Sequence, residues 1–108
     1  MQGETARPDR CMNDFERAAF ERLLKLAKRD TGQCRIVANF ILAWWNAGSL
    51  GGFDLADLFA LDHAISSDMA TIVVCLSRNS MAFYPEEYRS DIEAVIAQWR
   101  PDIWNASR

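Results

Sequence analysis

The chain has few of the residues that carry most enzyme chemistry. Among 108 residues there is one histidine, His63, and there are three cysteines, Cys11, Cys34 and Cys75, at spacings of 23 and 41. Those spacings match no metal or redox motif, and no cofactor is implied. Cys34 and Cys75 fall inside apolar patterns and read as small buried hydrophobes. Glycine (5) and proline (3) are sparse, which excludes collagen-like and low-complexity chains. Long apolar runs are missing too. The longest covers residues 40–45, against the ~20 residues that span a bilayer, so no membrane partner is expected. Residues 1–10 are polar and hold no secretory apolar segment, so the expected location is the cytoplasm, with thiols reduced.

Positive charge is the most localised absence. Twelve basic residues stand against fifteen acidic ones, a net charge of −3. Residues 1–35 hold eight basic and six acidic side chains; residues 36–77 hold no Lys or Arg and four Asp. Nucleic-acid binding draws most of its affinity from basic groups on phosphates. A helix-turn-helix reader is therefore disfavoured: neither candidate recognition helix, about 55–61 or 65–78, carries groove-directed basic or amide side chains apart from Arg78. An acidic surface suits basic protein partners better.

What is present is half hydrophobic and 11% aromatic, enough for one folded domain. The expected fold is all-α: a compact bundle of four to five helices in residues 12–104, with a flexible arm at 1–11 and a flexible tail at 105–108. Asn13 and Glu16 form a capping-box pattern at the first helix start. Phe15, Ala19, Leu23 and Leu26 then recur on one face, widened by Phe20, Leu24 and Ala27. Arg17–Glu21 and Glu21–Lys25 are spaced as wet-side ion pairs. Lys25, Lys28 and Arg29 suit the negative end of the helix dipole.

Asp30 or Thr31 can cap a second helix, about residues 32–47, ending at Gly48 as a C-terminal glycine. Its apolar residues cover about 240° of its circumference at 100° per residue. Such a helix must be buried nearly all round, so it is the expected centre of the bundle. Trp44 and Trp45 point about 100° apart. Either the helix is sandwiched or one of the two is an exposed anchor. The glycines of residues 48–52 lack the following lysine of a phosphate loop and read as a tight connection.

Asp54 can cap a short helix over about 55–61, with Phe53 and Leu58 as a hydrophobic staple. Asp62 can cap another, or the two can be one. Ile65, Met69, Ile72, Val73 and Leu76 make its inward face. Pro85 suits the first turn of the last helix, whose inward stripe is Tyr88, Ile92, Val95, Ile96 and Trp99. Pro101 ends it. Ile103 and Trp104 follow as a short tail, with Trp104 folded back onto the body.

The stretch from Phe40 to Ala47 (FILAWWNA), followed by Gly51, Gly52, Phe53, Asp54 and Leu55 and then by Asp57 and Leu58, resembles a known family. These are small uncharacterised proteins carried by proteobacterial integrative conjugative elements and plasmids, classed as a domain of unknown function. The resemblance covers about residues 34–101. It implies a bacterial, mobile-element setting and transfers no catalytic residue.

Three classes of function remain. An enzyme would have to use Asp62 and His63, with Asp68 nearby; the other acids have a sufficient reason as helix caps. A DNA-binding regulator is disfavoured by charge. A non-catalytic module that binds a protein partner fits best, with Trp45, Phe59, Tyr84, Trp104, Asp57 and Asp62 as candidate partner-binding residues. It could be an accessory of transfer or maintenance, or an anti-CRISPR-type inhibitor whose acidic surface competes with nucleic acid for a basic groove. A twofold homodimer is compatible with each class.

Overall fold

In the computed structural model, which describes residues 11–107, the reciprocal cap at Asn13 sets where the first helix begins. Its side chain accepts from the Glu16 N–H (2.8 Å), and its own N–H donates to Glu16 Oε1 (2.9 Å). This satisfies two of the N–H groups that a helix start leaves unpaired. Helix α1 then runs Asp14–Ala27 and buries Ala19, Phe20, Leu23, Leu24 and Ala27. Phe15, assigned inward by spacing, is 70% exposed; Glu16, one position on, takes the buried place. Arg17 and Glu21 do not stay on their own helix. Arg17 ion-pairs with Glu87, and Tyr88 Oη donates to Glu21 (2.6 Å), because the approach to the last long helix lies against that side of α1.

Thr31 caps α2, Gly32–Leu50, by accepting from the Cys34 N–H (3.3 Å). Between residues 34 and 45 only Arg35 is exposed, so α2 is buried nearly all round, as its composition required. The packing hub is nevertheless α1, which lies against three helices: α2; α3, His63–Arg78; and α4, Arg89–Trp99.

The end of α2 differs from expectation. The helix does not stop at Gly48 but breaks at Asn46 (φ −169°, ψ 80°), and one further turn continues to Leu50. Arg100 holds that turn: its Nε donates to the Leu50 carbonyl (2.9 Å) and its Nη2 to Asn39 Oδ1 (2.8 Å). The left-handed glycine is Gly51 (φ 100°), whose N–H donates to the Ala47 carbonyl (2.9 Å). Only glycine adopts that φ without strain.

Residues 54–78 form two elements. A 3₁₀ turn, Leu55–Ala60, is separated from α3 by Leu61 and Asp62. Asp62 stands at the cap position of α3 without accepting a capping bond, and its backbone N–H donates to Gln33 Oε1 (2.7 Å). Met69, Ile72 and Cys75 are the buried residues of α3; Val73, expected inward, is 52% exposed. The ion pairs Arg22–Asp68 and Arg78–Glu16 show that α3 runs antiparallel to α1.

Pro85 is buried, but it precedes a second 3₁₀ turn, Glu86–Tyr88, and is not the first residue of an α-helix. α4 follows, burying Ile92, Val95 and Ile96, with Tyr88 and Trp99 half-buried against the core. Its end closes the end of α1: Trp99 Nε1 donates to the Ala27 carbonyl (2.7 Å) and Gln98 Nε2 to that of Arg29 (2.8 Å). Pro101 ends α4 and also starts a short helix, α5, Pro101–Ala106. Residues 105 and 106, expected in the tail, are its last turn. Of the expected arm at residues 1–11, residues 1–10 lie outside the described residues, as does the final residue of the expected tail; Cys11 is half-buried, and its carbonyl accepts from the Cys75 thiol (3.5 Å).

Five α-helices and two 3₁₀ turns, with no strand among the described residues, make the chain an all-α bundle. No helix among them is long and apolar enough to cross a membrane.

Candidate partner-binding surface

The segment from Gly51 to Asp62 returns along α2. Phe53 packs edge-on against Phe40 (centroids 5.4 Å, 83°), rather than serving only as a staple within its own turn. Leu61 packs on the core, and Gln33 ties the backbone at Asp62. Between these anchors stands the turn Leu55–Ala60, capped by Asp54, whose carboxylate accepts from the Ala56 N–H (3.0 Å). In a 3₁₀ helix residues three apart eclipse one another, so Leu55 and Leu58 share one edge, with Phe59 beside them. None is buried: Phe59 is 95% exposed, Leu55 74% and Leu58 37%. Asp54 and Asp62 are exposed and Asp57 half-buried, and the nearest Lys or Arg in sequence lies outside residues 36–77.

The turn is thus an apolar knob carried among three carboxylates and held at both ends by the body. Burying a side chain of this size against a partner contributes roughly 1.5–3 kcal/mol.

Phe59, Asp57 and Asp62 thus stand on one short segment, and the structure adds Leu55, expected only as part of the helix start, and Leu58, expected as the staple partner of Phe53. Their spacing of three, rather than a four-and-three alternation, was the available signal. Trp45 and Tyr84 are brought together elsewhere. They line a shallow depression with Asn46, Glu86 and Arg89. Arg89 lies over the Trp45 ring (5.0 Å) and donates to Glu86 Oε1 (2.6 Å). Trp45 is half-buried and Tyr84 47% exposed, so Trp45 is neither a fully enclosed core residue nor a free anchor. Trp44 is also half-buried: its Nε1 donates to the Phe83 carbonyl (3.0 Å), and its ring meets Phe20 and Phe83 edge-on. Trp104 is half-buried against the core, as expected.

Of the candidate catalytic residues, Asp62 is exposed and donates its backbone N–H to Gln33. His63 is exposed, while Asp68 faces α1 and accepts both Nε and Nη2 of Arg22 (2.9 Å each). Among the described residues no three His, Cys, Asp or Glu side chains stand where they could hold a metal ion.

A strong electrostatic perturbation is structural. Glu16 is 4% exposed and accepts from Arg78 (2.6 Å and 2.9 Å) as well as from the Asn13 N–H. The Arg78 hydrogen bonds outweigh burial and hold its pKa down at about 2. Cys75, buried against the same carboxylate, is pushed up to about 11, first by desolvation and then by Glu16. Such a thiol is inert at neutral pH. Burial also raises Tyr88, whose hydroxyl donates to Glu21.

The model of a family of unknown function (DUF7673) matches residues 17–100. The chain belongs to that family. The match spans α1 to α4 and includes the 3₁₀ knob. No curated protein and no solved structure matches the chain.

Proposed function

We propose that the protein is a non-catalytic binding module that docks onto a basic protein surface through the turn Leu55–Ala60. The observation that carries this reading is the exposure of Phe59 and Leu55 on a turn anchored at both ends. Loose exposed apolar side chains cost order on binding, whereas a pre-formed turn has already lost that freedom. Large aromatic side chains are also over-represented at the energetic centres of interfaces. The commitment of Glu16, Asp54 and Asp68 to caps and ion pairs supports a non-catalytic role.

The resemblance of the AWWNA and GGFDL segments supports the finer proposal of a bacterial mobile-element accessory acting in the cytoplasm. An acidic rim that competes with nucleic acid for a basic groove is the form an inhibitor of a defence complex would take.

The experiment is affinity capture from a host lysate with three baits: the wild type, Leu55→Ala/Phe59→Ala, and Met81→Ala as an exposed control (80% exposed). The altered side chains are exposed, so thermal stability should change by less than about 0.5 kcal/mol. The expected result is a partner that the wild type and Met81→Ala retain, that the turn variant loses, and that high salt weakens. A partner held equally by all three baits, or turnover of a small metabolite by the purified protein, would overturn the proposal.

A further inference from the structure

A second exposed surface is the outer face of α3. Surface helices of soluble proteins carry charge on the side facing water. The charged residues of α3 are Asp68, turned to α1 and paired with Arg22, and Arg78 in its last turn, paired with Glu16. Between the exposed His63 and Arg78 at its two ends, the outward face carries Ser67, Ala70, Val73, Val74 and Ser77, with Val73 52% and Val74 59% exposed. Phe15, 70% exposed, stands on α1 at the edge of this face. Beside it is a shallow depression lined by Phe15, Glu16, Ser67, Ala70, Thr71 and Val74.

From this we infer that the α3 face is a homodimer interface and that its occupant is the same face of a second copy. Two features select a copy over another partner. First, a twofold contact requires one patch to be complementary to itself. This patch holds both a projecting ring, Phe15, and the adjoining hollow that the ring of a twofold-related copy would enter. Second, the chain carries a net charge of −3, so copies repel through their acidic surfaces. On this face the bordering charges are already neutralised in pairs, Arg22 with Asp68 and Arg78 with Glu16. Two such faces meet without like-charge repulsion, while a strongly acidic or basic partner gains nothing here. The small side chains Ser67, Ala70 and Ser77 let two α3 helices approach closely.

A 16-residue helix is about 24 Å long. A contact of that length, with Phe15 added, falls near the lower limit of specific interfaces, roughly 1,000 Å² in total. The dimer is therefore a weak one that dissociates on dilution.

The test is sedimentation equilibrium over a concentration series up to about 100 μM, on the wild type and on Val74→Glu, Ala70→Glu and Leu55→Glu. All three positions are exposed, and circular dichroism checks that the fold is kept. The expected result is a wild-type mass rising toward twice 12.3 kDa with concentration. Val74→Glu and Ala70→Glu should stay at 12.3 kDa, while Leu55→Glu behaves as wild type. A wild type that is monomeric throughout, or a dimer lost in Leu55→Glu but kept in Val74→Glu, overturns the assignment. Neither result depends on whether the knob captures a partner.

Discussion

Replacing Glu16 by glutamine isolates the charge on the most buried carboxylate. Glutamine keeps the volume and still accepts from the Asn13 N–H, since a capping box tolerates either residue. What it removes is the ion pair with Arg78. A carboxyl group whose pKa falls from 4.5 to about 2 on folding contributes at most about 3.5 kcal/mol at neutral pH. The Arg78 side chain is half-exposed, so water screens part of this, leaving about 2 kcal/mol. The sign follows from the depressed pKa. The contribution is complete above pH 4.5 and fades as the pH falls toward 2, where the native carboxylate finally takes up its proton. Urea unfolding followed by helical circular dichroism, on wild type and Glu16→Gln across that range, checks it. At pH 7 the variant should be less stable by about 2 kcal/mol, or roughly 10 °C in melting temperature. The two proteins should converge near pH 2. The other carboxylates titrate in both proteins and cancel in the difference. A gap of equal size at pH 7 and near pH 2 would refute the reasoning and locate the loss in packing or the cap. In the Glu16→Gln background, Arg78→Met should cost less than it does in the wild type.

Three further outcomes are expected. Arg100→Met should destabilise by roughly 2–4 kcal/mol, because it strands the buried Leu50 carbonyl and the Asn39 side chain. Amide exchange should quicken in residues 47–51 before the rest of α2. Gly51→Ala should cost about 1 kcal/mol for its backbone conformation alone, since a Cβ there meets only the Arg100 guanidinium at 3.9 Å. Gly48→Ala, inside the last turn of α2, should be neutral or stabilising by up to about 1 kcal/mol, and thermal melts of the pair distinguish the two sites. Cys75 should resist alkylation at about pH 8 in the folded protein and label once urea unfolds it, as peptide mass mapping will show.

Features encoded within one or two helical turns were legible in the sequence. Asn13 and Glu16 cap one another, Thr31 and Asp54 cap their elements, and the stripe Ile92, Val95, Ile96 faces inward, because each depends on neighbours three or four residues away. The apolar girth of α2 likewise required its burial. Misread features were those in which periodicity names a face without saying how wide the neighbour is. Phe15 and Val73 both lie near the edge of an apolar stripe. The rotation of α1 against α3 decides that Glu16 and Cys75 enter the core while Phe15 and Val73 do not. The end of α2 was misjudged for a related reason. Gly48 is a plausible stop on local grounds, but Arg100, fifty residues beyond Leu50, supplies the donors that hold an extra turn after the break at Asn46.

The candidate surface divides along the same line. Sequence alone determined that residues 36–77 would be acidic and that Phe59, Asp57 and Asp62 would lie close together, since charge and proximity along a chain need no fold. Only the tertiary structure decided that the segment is a 3₁₀ turn with Phe59, Leu55 and Leu58 outside. That outcome depends on Phe53 meeting Phe40 and on Gln33 tying Asp62, two contacts between segments far apart in the chain. Pairing at that range is set by how whole helices pack, and no local pattern records it.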